Sequence, residues 1–153
     1  MDAVSVLAID PGTHQSGFAK YVKDGGVLAS GVVPNAEILD LIVKTDADIL
    51  AIERIVNYGM AVGQEVFDTC VWIGRMMQVW PCPDEVMLIQ RGAVKKYVCG
   101  TGKAEDKHVR AGLIAMVGAP GDKRNPGPTY GVTSHAWSAL GVAVTALHER
   151  GVQ

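Results

Sequence analysis

Apolar and polar residues switch between two periods along this chain, and the switches divide it into elements. The run "AVSVLAID" is short, β-branched and closed by a Pro-Gly turn, which predicts a central strand buried on both faces. "SGFAKYV" and "GVLASGVV" predict two more strands, joined as a hairpin through Asp24, Gly25 and Gly26. "NAEILDLIVKT" sets Ile38, Leu41 and Ile42 at helical spacing, with Asn35 as N-cap. "DILAIE" and "EVMLI" predict the fourth and fifth strands. Between these two, residues 60–80 turn helical. Val62, Val66, Cys70, Ile73 and Met77 make one stripe, widened by Phe67, Val71, Trp72, Met76 and Trp80, and ended by Pro81 and Pro83. A helix apolar on more than one face crosses a core or meets a partner chain. "QRGAVKKYV" and "AEDKHVRAGLIAMV" predict helices on either side of a "CGTGK" turn. "GAPGDKRNPGPTYG" predicts a loop, and "VTSHAWSALGVAVTALHER" a last helix capped by Thr133 or Ser134.

Three strands, a helix, a strand, a long helix, a strand and then helices imply an α/β fold. Right-handed crossovers make it a mixed five-stranded sheet with helices on both faces. The first and fourth strands become parallel neighbours, and each ends on a carboxylate, Asp10 and Glu53. These emerge at the carboxyl ends of the strands, where α/β proteins bind ligands.

Composition narrows the classes. The chain of 153 residues is read as one domain, 1–153, and its 48% apolar content suits a packed core. The formal net charge of −2 supplies no global attraction for polyanions, so a nucleic-acid partner requires locally clustered cations. Arg91, Lys95, Lys96, Lys103, Lys107 and Arg110 do gather in one stretch, and Lys123 and Arg124 follow in the Pro-Gly loop. That loop, 118–130, directly precedes His135 and is expected to border the site and to be mobile. Three scattered cysteines have neither zinc spacing nor disulfide density, which favours a reducing cytoplasm. No leader pattern and no apolar stretch of membrane-spanning length are seen, so a soluble, unexported protein without a membrane partner is expected.

Two carboxylates at adjacent strand ends repel unless a cation or a shared proton compensates. Oxygen donors without cysteine point to Mg²⁺ or Mn²⁺, ions that promote phosphodiester hydrolysis, often as a pair roughly 3.5–4 Å apart. The plainer reading makes Asp10 a turn former and pairs Glu53 with Arg54 or a lysine. His135 is either a surface residue at a helix start or, kept neutral by the helix dipole, a ligand or base one turn before Ser138.

These residues bring a family into view. "AIDPGTHQSGFA" and "ILAIERI" resemble the first two motifs of the RuvC-type Holliday junction resolvases of the ribonuclease H-like superfamily, most similar to their phage-encoded branch. "VKKYVCGTGKAEDKHV" resembles the family's basic segment, with its lysines on Lys95 and on Lys103 or Lys107. "SHAWSALGVAV" resembles the final helix that completes the metal site, with His135 in the first ligand position. The resemblance implies a Mg²⁺- or Mn²⁺-dependent endonuclease in which Asp10, Glu53 and His135 hold metal. It also implies a homodimer, which residues 60–80 suit because their surplus apolar surface needs a partner. Cleavage of four-way and other branched DNA would leave 5′-phosphate and 3′-hydroxyl ends.

Two positions depart from the family. Ser138 stands where a second acidic residue is usual on the last helix; its hydroxyl is a poor Mg²⁺ ligand but can orient water. Ile55 and Val56 stand where bacterial members carry a base-stacking aromatic, and Tyr58 follows shortly after. Ser138 therefore motivates an alternative, a junction-binding protein with little or no cleavage. Asp-x-Gly-Thr also resembles the phosphate loop of actin-like and sugar-kinase ATPases, which need a second such domain.

Overall fold

Successive side chains of a strand point to opposite faces, and this parity organises the molecule. In the computed structural model, which describes residues 3–152, β1 (Ser5–Asp10) sends Val6 and Ala8 to one face of the sheet and Leu7 and Ile9 to the other. β4 (Ile49–Arg54) does the same with Ile49 and Ala51 against Leu50 and Ile52. Val6–Ile9 and Ile49–Ile52 are apolar without a break because both faces of these strands are covered.

β1, β2 (Gln15–Val22) and β3 (Gly26–Pro34) form an antiparallel meander. β4 and β5 (Met87–Gln90) add parallel to β1, giving the order β3-β2-β1-β4-β5. α1 (Asn35–Lys44) and α2 (Gln64–Gln78) cover the Leu7 and Ile9 face. α3 (Arg91–Cys99), α4 (Asp106–Val117) and α5 (His135–Glu149) build the layer on the Val6 and Ala8 face. The expected mixed five-stranded sheet with helices on both faces is the observed fold.

The helix buried on all sides is α5, not α2. It packs on β2, β1 and β4, and every residue from Ala136 to Leu147 is buried except Ser138. Small side chains let it approach: Ala136, Ala139 and Ala143 share one core with Ala8, Ala19 and Ala51. At its first turn the approach is closest. A methyl group added to Gly17 of β2 would lie 2.4 Å from the His135 carbonyl oxygen.

Three local expectations are corrected. Asn35 does not cap α1, since Pro34 holds the N-cap position. Instead Asn35 is buried, donates to the Gly12 carbonyl at 2.9 Å and accepts from the Ser16 hydroxyl. Ser16 Oγ in turn accepts the Gly12 amide at 3.1 Å, so the pair locks the Pro-Gly turn. Asn35→Ala strips partners from buried polar atoms and is expected to destabilise the fold by about 1–3 kcal/mol, measured by urea unfolding. Second, α2 starts at Gln64 rather than at residue 60, and its buried line runs through Thr69, Ile73 and Met76 while Cys70 is exposed. Thr69 fits a buried position because its hydroxyl donates to the Glu65 carbonyl and pairs with Thr13 Oγ1. A stripe read from apolar letters alone therefore holds at Ile73 and is one position off at Cys70 and Met77. Third, Ser134 occupies the N-cap position of α5 without a side-chain cap, at φ +48°. No helix among the described residues is long and apolar enough to cross a membrane.

Candidate functional site

Parity places the two carboxylates. Asp10 follows Ala8 on the α5 face of β1, and Glu53 follows Ala51 on the same face of β4. Ile9 pairs with Ile52 across the parallel ladder, so the two acids leave the sheet side by side. Asp10's antiparallel partner is Gly17, whose missing side chain leaves room for the start of α5. His135, the first residue of α5, stands over that gap, and its Nδ1 lies 2.9 Å from Asp10 Oδ2. The sharp backbone turn at Ser134, in a region that favours glycine, directs the helix there.

Both acids are poorly solvated, with side chains 12% exposed for Asp10 and 16% for Glu53. Burial first, and then the adjacent Asp10 charge, push Glu53 up to about 7 against the opposing pull of Arg91. Burial likewise holds Asp10 above the ordinary carboxylate value, opposed by its bond to His135. A folded-state value above the unfolded one means that the folded protein holds the proton more tightly. The resulting stability is complete below the ordinary glutamate value of 4.5 and is lost as pH rises through about 7. Thermal melts in a chelating buffer are expected to show this decline between those limits. Glu53→Gln should flatten it, as should a divalent cation that binds the ionised pair.

Arg91 takes a different place from the one foreseen. It opens α3 directly after β5, and its guanidinium pairs with Glu53 Oε1 at 3.4 Å and with Asp106 through another nitrogen. Asp106 was not foreseen as part of the site. It reads in sequence as an ordinary acidic residue in the first turn of a helix, and nothing local says that it meets Arg91 at the start of α3. Ser138, one turn beyond His135, is half-buried and lines a cavity of about 380 Å³ with Arg91, Asp106, Lys107, Arg110 and His135.

The other foreseen residues scatter. Tyr58 is 76% exposed in the loop after β4, at the Glu53 end of the sheet. Lys95 is half-buried and Lys96 exposed on α3. Lys103 lines a separate groove between α3 and α4 with Cys99 and His108. Lys123 and Arg124 lie in a hairpin closed by the Gly121–Pro126 bridge. Its base does not border the carboxylates: Gly127 and Pro128 pack near Asp24 and Gly26, at the turn on the opposite end of the sheet from Asp10. The segment crosses back to reach His135 because α4 ends on that far side.

Among the described residues, no three His, Cys, Asp or Glu side chains converge at metal-binding spacing. Asp10 pairs with Glu53 and with His135, but the imidazole is turned onto Asp10. The donor chemistry nevertheless fits a hard divalent cation: two facing, poorly solvated carboxylates carry repulsion that Arg91 and His135 offset only in part, and an imidazole is at hand. Asp10, Glu53 and His135 are the residues that would hold it.

No family model and no curated protein sequence matches this chain. Solved structures do. The chain is similar to RuvC of Thermus thermophilus in complex with a Holliday junction substrate, with a TM-score of 0.72 and 19% identity over 97% of this chain and 96% of that one. It is similar to a further Thermus thermophilus RuvC structure, with a TM-score of 0.70, the same identity and the same coverage. The chain thus has the ribonuclease H-like fold in the arrangement seen in RuvC structures.

Proposed function

We propose that this protein is a metal-dependent, structure-selective endonuclease that resolves Holliday junctions and related branched DNA. The observation that carries this reading is the pairing of Asp10 with Glu53 at adjacent strand ends, with His135 over them. The fold shared with the RuvC structures supports it. A divalent ion bound there would supply charge neutralisation and lower the pKa of a water molecule. Asp10 and Glu53 provide its anionic oxygens. His135, bonded to Asp10 through Nδ1, keeps Nε2 as a further donor. The Ser138 hydroxyl, which lines a cavity with His135 and Arg91, would orient water by hydrogen bonding. In the hydrolysis, water oxygen bonds to phosphorus, the P–O3′ bond breaks and the 3′ oxygen takes a proton. The products carry 5′-phosphate and 3′-hydroxyl ends.

Two strands of a junction are cut by two active sites, and α2 offers the surface for a homodimer. Phe67 is 56% and Val71 63% exposed on it, and nothing lies within 4 Å of the positions where side chains would grow from Gly63 and Gly74. Val71→Arg is expected to yield monomers by sedimentation equilibrium and to uncouple the two nicks. Lys107 and Arg110 at the cavity rim, with Lys95 and Lys96, provide phosphate contacts whose affinity falls with salt. This reading includes a location in the cytoplasm of its cell or host.

A labelled four-way junction incubated with Mg²⁺ or Mn²⁺ tests the activity: paired, symmetric nicks are expected. Intact strands under full binding would support the second reading, a junction binder without cleavage. That reading is favoured by Ser138 and by the lack of a three-ligand cluster among the described residues. Ser138→Asp separates the two, because gain of cleavage marks the serine as an impairment and loss marks it as part of a working site. A phosphate-loop role for the Asp-x-Gly-Thr turn is disfavoured, since Ser16 already takes the Gly12 amide.

A further inference from the structure

The cation bonded to the candidate metal site is Arg91, and its setting differs from that of the other basic residues nearby. Arg110 stacks over the Trp137 ring, 5.0 Å from its centroid, and Lys107 pairs with Glu105 at 3.4 Å. Arg91 instead spans two carboxylates from different elements, Glu53 of β4 and Asp106 of α4, through separate nitrogens. Two bonds leave the remaining N–H groups of its five-donor fork free. The side chain is 31% exposed and borders the cavity that His135 and Ser138 also line.

The anionic donors at this site are few. Beyond Asp10 and Glu53 the candidate donors nearby are the His135 imidazole and the Ser138 hydroxyl, neither of them anionic, and Asp106, which is committed to Arg91. Two divalent ions need more carboxylate than this, whereas one divalent ion and one guanidinium suit it. Arginine is also the side chain best matched to a phosphate, because its fork presents parallel donors.

We propose that Arg91 is the second cation of the catalytic centre, donating to the scissile phosphate where two-metal nucleases place a second ion, and that Asp106 is the positioning residue that aims it. This rests on the endonuclease reading. Charge builds on the phosphoryl oxygens as water bonds to phosphorus and the P–O3′ bond lengthens. Arg91 stabilises that charge through donors already oriented by Glu53 and Asp106. With the phosphate absent, Arg91 competes with a metal ion for Glu53.

Four measurements on wild type, Arg91→Met, Arg91→Lys and Asp106→Asn test the proposal. These are Mn²⁺ titration without DNA, junction affinity in Ca²⁺, single-turnover cleavage at saturating junction, and thermal unfolding. Wild type is expected to bind one Mn²⁺ per chain, and Arg91→Met to bind it severalfold more tightly. Arg91→Met should lose cleavage on the order of 10²-fold, while junction affinity falls by no more than the share of one phosphate contact. Arg91→Lys, which keeps charge without the fork, should retain an intermediate rate and an unchanged melting temperature. Asp106→Asn should slow cleavage about tenfold at undiminished junction affinity, a split that a merely structural ion pair does not produce. Unchanged Mn²⁺ affinity in Arg91→Met, or two Mn²⁺ per wild-type chain, overturns the proposal. So does a loss of junction affinity that accounts for the whole rate defect. A wild-type protein that binds junctions and Mn²⁺ but leaves the strands intact overturns the endonuclease reading instead.

Discussion

Asp10→Asn is expected to lower strand cleavage by on the order of 10³-fold and, at the same time, to make the metal-free protein more stable. The two effects have one cause. Asp10 and Glu53 leave adjacent parallel strands with side chains 12% and 16% exposed, where water screens their repulsion poorly. A site that binds a divalent ion needs that repulsion, and a fold without the ion is strained by it. Asparagine keeps the shape, and its carbonyl oxygen still accepts a hydrogen bond from His135 Nδ1. Removing the charge should raise stability by on the order of 1–2 kcal/mol above neutral pH, with the gain vanishing under acid conditions as Glu53 takes up its proton. Urea titrations at acid and alkaline pH, paired with junction cleavage assays, measure both. The competing reading of Asp10 as a turn former predicts the opposite sign, because a turn former lost to substitution lowers stability.

Gly17→Ala is the second large effect, and it acts without touching a charged group. The added methyl would sit 2.4 Å from the His135 carbonyl oxygen and 2.8 Å from His135 Cβ, distances that real side chains do not show. Backbone is on both sides, so the first turn of α5 must lift from β2. Overpacking of this kind costs about 1–3 kcal/mol. The larger consequence is at the site. His135 and Ser138 ride on that turn, and a displacement of about 1 Å lowers catalysis on the order of 10²-fold. Wild-type-like circular dichroism, a reduced melting temperature and collapsed single-turnover cleavage are expected together. Full activity would show that the approach of α5 over Gly17 does not position His135.

Much of this was legible in the residues. The predicted strand order put Asp10 and Glu53 at neighbouring ends of β1 and β4, since crossover handedness makes those strands parallel neighbours. The carboxylates could be found because an acid ending a buried strand contradicts the pattern that precedes it. Gly17 gave no such signal: in sequence it is one glycine in a strand, and its meaning is a contact with a residue more than a hundred positions away. Asn35 was misread for a related reason, since Asn before a helical stripe fits a cap as well as it fits the Gly12 and Ser16 partners it has.

Arg91 shows the same division most sharply. Its charge and its place in a basic stretch suggested a phosphate contact, and the sequence carries no mark of Glu53 or Asp106 as its partners. Local pattern by itself determined the strands, their order, the mixed sheet and the two carboxylates, because those follow from hydrophobic period and crossover handedness. Only the tertiary structure decided that His135 bonds Asp10 and that Arg91 sits between Glu53 and Asp106. It alone sent the base of the 118–130 loop to the opposite end of the sheet before the chain returns to α5. Those outcomes depend on where α3, α4 and α5 start over the sheet edge. That is set by packing small residues against small residues across the core, a complementarity no single segment encodes.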